Sequence, residues 1–275
     1  MLLSPSPMVD PVNGFVLFTN AKCGGTTLKH WFLSSHSFHR MIRSPVSVAR
    51  YFGLRALSKE FAKVGLFSHR YLKDPTDTHA RRLISNYRGL VTSLDEPPAT
   101  PQMPVFMVVR DPYSRAVSAW IDKFCGADRH KSWVRQVVGA FGVESPTFMD
   151  FLRYVETTPH GEMNAHWRRQ SLIIDAVPEV CFLRLESLQH DMEQHADVWG
   201  DRDGSILSVR TQNNAYREVP GDPDASRMTA ESLVRFREAQ GAFPAKNSFL
   251  TPESRALIRS AWRKDFERFG YPVSD

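Results

Sequence analysis

The stretch GFVLFTNAKCGGTTLKHWF, residues 14–32, reads as a strand, a glycine-rich turn and a helix in direct succession. Residues 14–20 form a short apolar run rich in strand formers and bounded by Gly14 and Asn20, the pattern of a buried strand. Leu28, Trp31 and Phe32 then recur at helical spacing, with Thr26 placed to cap that helix. Between the two lies Lys22-Cys23-Gly24-Gly25-Thr26-Thr27. Glycines let backbone N–H groups approach an anion closely, and a helix N-terminus adds donors and partial positive charge. The threonine hydroxyls add further donors and Lys22 a full charge, so the turn suits a phosphate. It is not the ATPase loop GxxxxGK[ST], because the lysine precedes the glycines. That order sets the amine at the strand end, where it reaches a group attached beyond the cradled phosphate.

A second junction of the same kind occupies PVFMVVRDPYSRAVSAW, residues 104–120. Residues 104–110 read as a buried strand, followed by Asp111 as a helix cap and Pro112 at the first helical position. Tyr113, Ala116, Val117, Trp120, Ile121 and Phe124 make one apolar stripe along the helix, with Ser118 on its flank. Arg110 stands at the carboxyl end of the strand, where open α/β sheets bind ligands. A guanidinium grips phosphate in bidentate fashion and keeps its charge. Taken singly, Arg110 is better explained by an ion pair with a neighbouring acid such as Asp111, and Ser118 by a bond back to the Ser114 carbonyl. Their spacing lets the two share one anion.

EVCFLRLE, residues 179–186, is a third strand candidate. The C-terminal segment opens a helix at Thr251-Pro252-Glu253, carries Leu257, Ile258, Ala261, Trp262, Phe266 and Phe269 on one face, and ends at Gly270. Strands alternating with helices predict an α/β fold with a parallel sheet. The Pro-rich segment 95–104 and the polar segment 217–226 are too short to part domains, so a single domain over 1–275 is expected.

The chain has 275 residues, 42% of them hydrophobic and 24% charged, enough for a full core in a soluble globular protein. A net charge of +5 suits an acidic ligand and is too weak to indicate nucleic acid. Three cysteines, Cys23, Cys125 and Cys181, form no CxxC pair and leave an odd count, which favours a reducing compartment over a disulfide framework. No apolar run reaches the roughly 18–20 residues of a membrane span. The first residues, MLLSPSPMVDP, lack the basic-then-apolar pattern of a signal peptide. A cytoplasmic location is expected.

Together the two junctions resemble the PAPS-dependent sulfotransferases, whose donor is 3′-phosphoadenosine 5′-phosphosulfate. Members carry a 5′-phosphosulfate loop Pro-Lys-x-Gly-x-Thr, here Ala21-Lys22-Cys23-Gly24-Gly25-Thr26. Their 3′-phosphate site is an arginine at a strand end with a serine eight positions on, matched by Arg110 and Ser118. The wording VVRDPYSRAVSAWIDKF is most similar to the carbohydrate branch, of the chondroitin and HNK-1 type. His166-Trp167, LESLQHD at 185–191 and DFERFGY at 265–271 agree with that branch in the expected order. Ala21 replaces the usual proline, and the membrane anchor and extra cysteines of Golgi members are missing.

The resemblance implies a P-loop-like three-layer fold with a central parallel sheet flanked by helices. It also implies sulfuryl transfer from PAPS to a hydroxyl, with PAP as product and no metal required. Gly24, Gly25, Thr26 and Thr27, with Cys23 in the same loop, would hold the 5′-phosphate, and Lys22 would stabilise charge on the departing PAP. For the base that accepts the hydroxyl proton, His69 in VGLFSHRYL (64–72) is preferred, with His166 in reserve. Asn213, Asn214 and Arg217 could close over the nucleotide or form a solvated loop, while Glu186 and Asp191 fit a strand-to-helix junction without chemistry. His36 and His39 read as surface residues with no third ligand for zinc. Two rival functions are a P-loop kinase using ATP and a non-catalytic binder of nucleotides or polyanions. The acceptor expected from the resemblance is a sugar or glycoconjugate.

Overall fold

The computed structural model describes residues 8–10, 12–32, 34–37, 40, 46–47, 50, 103–173, 179–202, 204–208 and 224–273. The chain divides into two compact units, Met1–Val109 with Ile173–Thr211, and Arg110–Leu172 with Gln212–Asp275.

The first unit is built on a four-stranded sheet in the order β1 (Met8–Asp10), β2 (Phe15–Thr19), β3 (Val105–Val109) and β4 (Cys181–Arg184). β2, β3 and β4 are parallel, and β1 is antiparallel to β2. The α/β expectation with its central parallel sheet is therefore met. Every residue of β2 and all but the first of β3 are buried, which is why these strands read as unbroken apolar runs rather than alternating ones. Thr19 pairs with Val108, and Val109 with Arg184, so the three parallel strands end nearly level. Helix α1 (Gly25–Phe32) follows β2 and buries Leu28, Trp31 and Phe32 in one core with Phe15, Phe106 and Trp199.

The antiparallel β1 was not anticipated, since MVD between two prolines carries little strand signal. The Asp10 carboxylate creates the turn that follows, accepting the N–H groups of Val12 at 2.9 Å and Asn13 at 3.1 Å. Its other oxygen pairs with Arg202 at 2.6 Å, both side chains being fully buried. The Arg202 guanidinium lies 4.8–5.3 Å from the ring centres of Phe15, Phe32 and Trp31 and donates to the carbonyls of Trp199 and Phe32.

The second unit is helical where described. Helix α2 (Pro112–Trp120) begins as expected, with the Asp111 carboxylate accepting from the N–H groups of Tyr113 and Ser114. Beyond Trp120 the helix widens into a π turn, Ile121–Cys125. The apolar stripe continues through that turn, and Trp120 stacks on Phe124 at 4.9 Å. Phe148 and Phe151 join them from helix Phe148–Thr157, which opens with a reciprocal Thr147–Asp150 capping box.

Two local expectations are corrected. α1 starts at Gly25, so Thr26 lies within its first turn rather than capping it. The C-terminal segment is two helices, Pro252–Ala261 and Arg263–Phe269, broken at Trp262. The break seats the Trp262 indole, whose N–H donates to the Trp167 carbonyl at 2.8 Å. Thr251 caps the first of these helices, and Gly270 ends the second with φ 62°. Segments 95–102 and 217–223 lie outside the described residues.

Candidate active site

The loop between β2 and α1 is tied down from within. The Cys23 N–H donates to the Asn20 carbonyl at 3.2 Å, and the Leu28 N–H to the Gly24 carbonyl at 3.0 Å. Lys22 has φ 68° and is the one non-glycine with positive φ among the described residues. Such a conformation costs a residue with a Cβ about 1–2 kcal/mol, and it persists where the surroundings enforce it. Gly24, two residues on, has φ 70°, and a Cβ there would stand 2.8 Å from Leu185 Cδ1. Gly25 differs, because a Cβ on it would meet nothing closer than Thr19 Oγ1 at 3.9 Å. The left-handed backbone favours glycine at 24, while the backbone at 25 is left open to approach.

Left-handed residues set into a turn aim successive N–H groups at one concavity, the arrangement of anion-binding nests. α1 adds the positive end of its dipole, and its first turn holds no carboxylate to oppose an anion. Thr26 is half-buried and Thr27 buried. The donor set fits a phosphate. Cys23 takes a different part, since its side chain is fully buried in the core of the first unit, with Sγ 3.7 Å from the Ala21 carbonyl. Only its main chain can face a ligand. Asn20, just before the turn, is also buried and its amide nitrogen has no acceptor among the described residues.

Arg110 and Ser118 belong to the second unit. Ser118 is the one residue of α2 that is not buried. No bond from its hydroxyl to the Ser114 carbonyl is formed, the contact that would have explained it structurally. The Asp111 carboxylate is committed to the helix cap, and it also accepts from the Ser114 hydroxyl, which in turn accepts from Lys246 at 2.8 Å. Arg110 is held through its main chain: its N–H donates to Gln170 Oε1 at 2.9 Å, and its carbonyl accepts from Gln170 Nε2 at 2.8 Å. Sequence reasoning did not name Gln170, although it lies three residues beyond the His166-Trp167 pair.

The remaining candidates separate clearly. His69, Asn213, Asn214, Arg217 and His39 lie outside the described residues. His36 is exposed. His166 folds over its own turn, with Nδ1 2.5 Å from Asn164 Oδ1, an attachment that explains it structurally. Asp191 accepts from the Arg184 N–H at 2.6 Å and the Ser187 hydroxyl at 2.9 Å, the strand-to-helix role expected of it. A groove of about 370 Å³ in the second unit, lined by His160, Arg169, Leu172 and Lys264 among others, includes none of the predicted site residues. Among the described residues no three His, Cys, Asp or Glu side chains gather as a metal site, and no helix is long and apolar enough to cross a membrane.

Compared with known proteins, residues 6–272 match the model of the sulfotransferase family. No curated protein and no solved structure matches the chain.

Proposed function

Because the chain belongs to the sulfotransferase family, we propose that it moves the sulfuryl group of PAPS onto a hydroxyl of a carbohydrate or glycoconjugate, with both compact units serving one catalytic domain. PAPS supplies the sulfuryl group already activated on a nucleotide leaving group. The chain's part is positioning and charge stabilisation. Gly24, Gly25, Thr26 and Thr27 hold the 5′-phosphate at the start of α1, with Cys23 shaping the turn through its bond to the Asn20 carbonyl. Lys22, ahead of the cradle, neutralises the oxygen that departs with PAP, a contribution of about 3–4 kcal/mol by analogy with oxyanion donors. Arg110 and Ser118 hold the 3′-phosphate, and His69 takes the proton of the acceptor hydroxyl.

The observation that carries this reading is the backbone of Lys22. It is a strained, positive-φ lysine just past the carboxyl end of a parallel strand and directly before a glycine cradle. Ser118 supports the same reading, being only half-buried in a helix whose other residues are all buried. Three free thiols, two of them buried, accord with a reducing, cytoplasmic setting.

The test is a titration followed by an acceptor screen. PAP binds tightly and ATP with Mg²⁺ poorly, and PAPS-dependent sulfation appears against a panel of sugars, glycolipids and phenols. Arg110→Ala weakens PAP far more than adenosine 5′-phosphosulfate, which lacks the 3′-phosphate. Equal losses for the two ligands would remove Arg110 from its assigned role, and a preference for ATP would favour the kinase reading.

A further inference from the structure

Residues 164–171 commit most of their N–H groups and several carbonyls to holding one short shelf in place. The N–H groups of Trp167 and Arg168 donate to the Asn164 carbonyl at 3.1 and 3.0 Å. The Arg169 N–H donates to His160 Nδ1 at 3.1 Å. The next two, of Gln170 and Ser171, donate one to each oxygen of Asp265, at 2.7 and 2.9 Å. On the carbonyl side, Trp262 donates to Trp167, and the buried Arg115 to Arg168 and Ala165. Gln170 and Asp265 are completely buried.

From this shelf the Gln170 carboxamide reaches the peptide groups of Arg110 and satisfies both, as a neighbouring strand would. Strand β3 ends at Val109, and Arg110 is the residue that follows it. A clasp on both of its peptide groups holds the root from which the guanidinium projects. We infer that Gln170 is a positioning residue for the nucleotide site: it fixes the main chain of Arg110, and Asp265 fixes Gln170, so that the Arg110 guanidinium meets a 3′-phosphate already in place. Preorganisation of this kind raises affinity by removing an ordering cost at binding. Gln170 is closed to solvent, so its influence passes through Arg110. This inference rests on the proposed role of Arg110. It assigns a purpose to two sequence pieces that had none, the segment after His166-Trp167 and the Asp265 of DFERFGY.

The experiment compares PAP with AMP, which differ by the 3′-phosphate alone, by calorimetry on the full chain. Wild type binds PAP much more tightly than AMP. Gln170→Met, similar in length but without hydrogen-bonding ends, loses about tenfold or more in PAP affinity and leaves AMP unchanged. Gln170→Glu keeps the acceptor for the Arg110 N–H but sets a second carboxylate oxygen against the Arg110 carbonyl until it is protonated. Its PAP affinity relative to wild type therefore recovers as pH falls from about 8 to about 5. That recovery reads out the donor itself, and it decides the matter should Gln170→Met fail to fold. A Gln170→Met protein with the wild-type PAP-to-AMP ratio, or a Gln170→Glu protein whose deficit is flat with pH, overturns the inference. A wild type that does not prefer PAP at all shows a different pattern and overturns the nucleotide reading, and the inference with it.

Discussion

Lys22 offers the sharpest separation of chemistry from architecture, because its amine and its backbone are expected to act in opposite directions. With φ 68° it is held in a region that costs a Cβ-bearing residue about 1–2 kcal/mol. Alanine at this position removes the amine and keeps that cost. Glycine removes both, although it loses about 0.5–1 kcal/mol through the greater freedom of the unfolded chain. Lys22→Gly is therefore as stable as Lys22→Ala or more so, by up to about 1.5 kcal/mol. In a unit of this size that corresponds to at most roughly 3–6 °C in Tm. Turnover behaves otherwise: both variants lack the cation on the leaving oxygen and fall by about 10²–10³-fold or more in kcat, while PAP remains bound. Thermal melts of the three proteins, read beside initial rates of PAP release from PAPS, give the two axes. Lys22→Gly melting below Lys22→Ala would refute the strain argument. Either variant keeping a tenth of wild-type kcat would refute the role of the amine.

Two further outcomes follow from groups away from the loop. Arg202→Ala strands the fully buried Asp10 carboxylate and should cost about 3–5 kcal/mol, seen as a Tm lowered by roughly 10 °C, with most of the loss recovered in the Asp10→Ala/Arg202→Met double variant. His160 is held below its usual pKa chiefly by burial, against the opposing pull of the Ala261 carbonyl and Asp265. Its Nε2–H donates to the Ala261 carbonyl while Nδ1 accepts from Arg169, an arrangement that the neutral ring alone satisfies. The unfolded chain thus takes up this proton first. Stability that is complete above a pH of about 6.5 is lost as pH falls from there through the folded value. Denaturation midpoints across that range should show this step in wild type and lack it in His160→Gln.

What was legible in the sequence is what local chemistry decides. Residues 15–19 and 105–109 announce themselves because a strand buried on both faces needs no alternation. Asp111-Pro112 announces a helix because a cap and a fixed φ act within three residues. The glycine loop was legible for the same reason, although which of its two glycines takes the left-handed backbone was not. Arg202 was not, since a lone arginine in a polar segment reads as surface until three aromatic rings and Asp10 are folded around it. Nor was the clasp on Arg110, whose partner is 60 residues away and whose anchor, Asp265, is a further 95 along the chain. The π turn at Ile121–Cys125 and the break at Trp262 depend on where bulky rings find room, which no window of sequence records. His69, preferred as the base from the apolar run before it and from the resemblance, lies outside the described residues.

Eight of the nine residues of α2 are walled in, and Ser118 alone is left to vary. For an evolving or engineered enzyme that is a narrow dial. Exchanges elsewhere on the helix disturb the interior first, whereas on the role proposed for Ser118 exchanges at this one address should retune the donor preference while the scaffold keeps its melting behaviour. A library randomised there should yield folded proteins with graded tolerance for nucleotides lacking the 3′-phosphate, and the same library one position to either side should yield mostly aggregates.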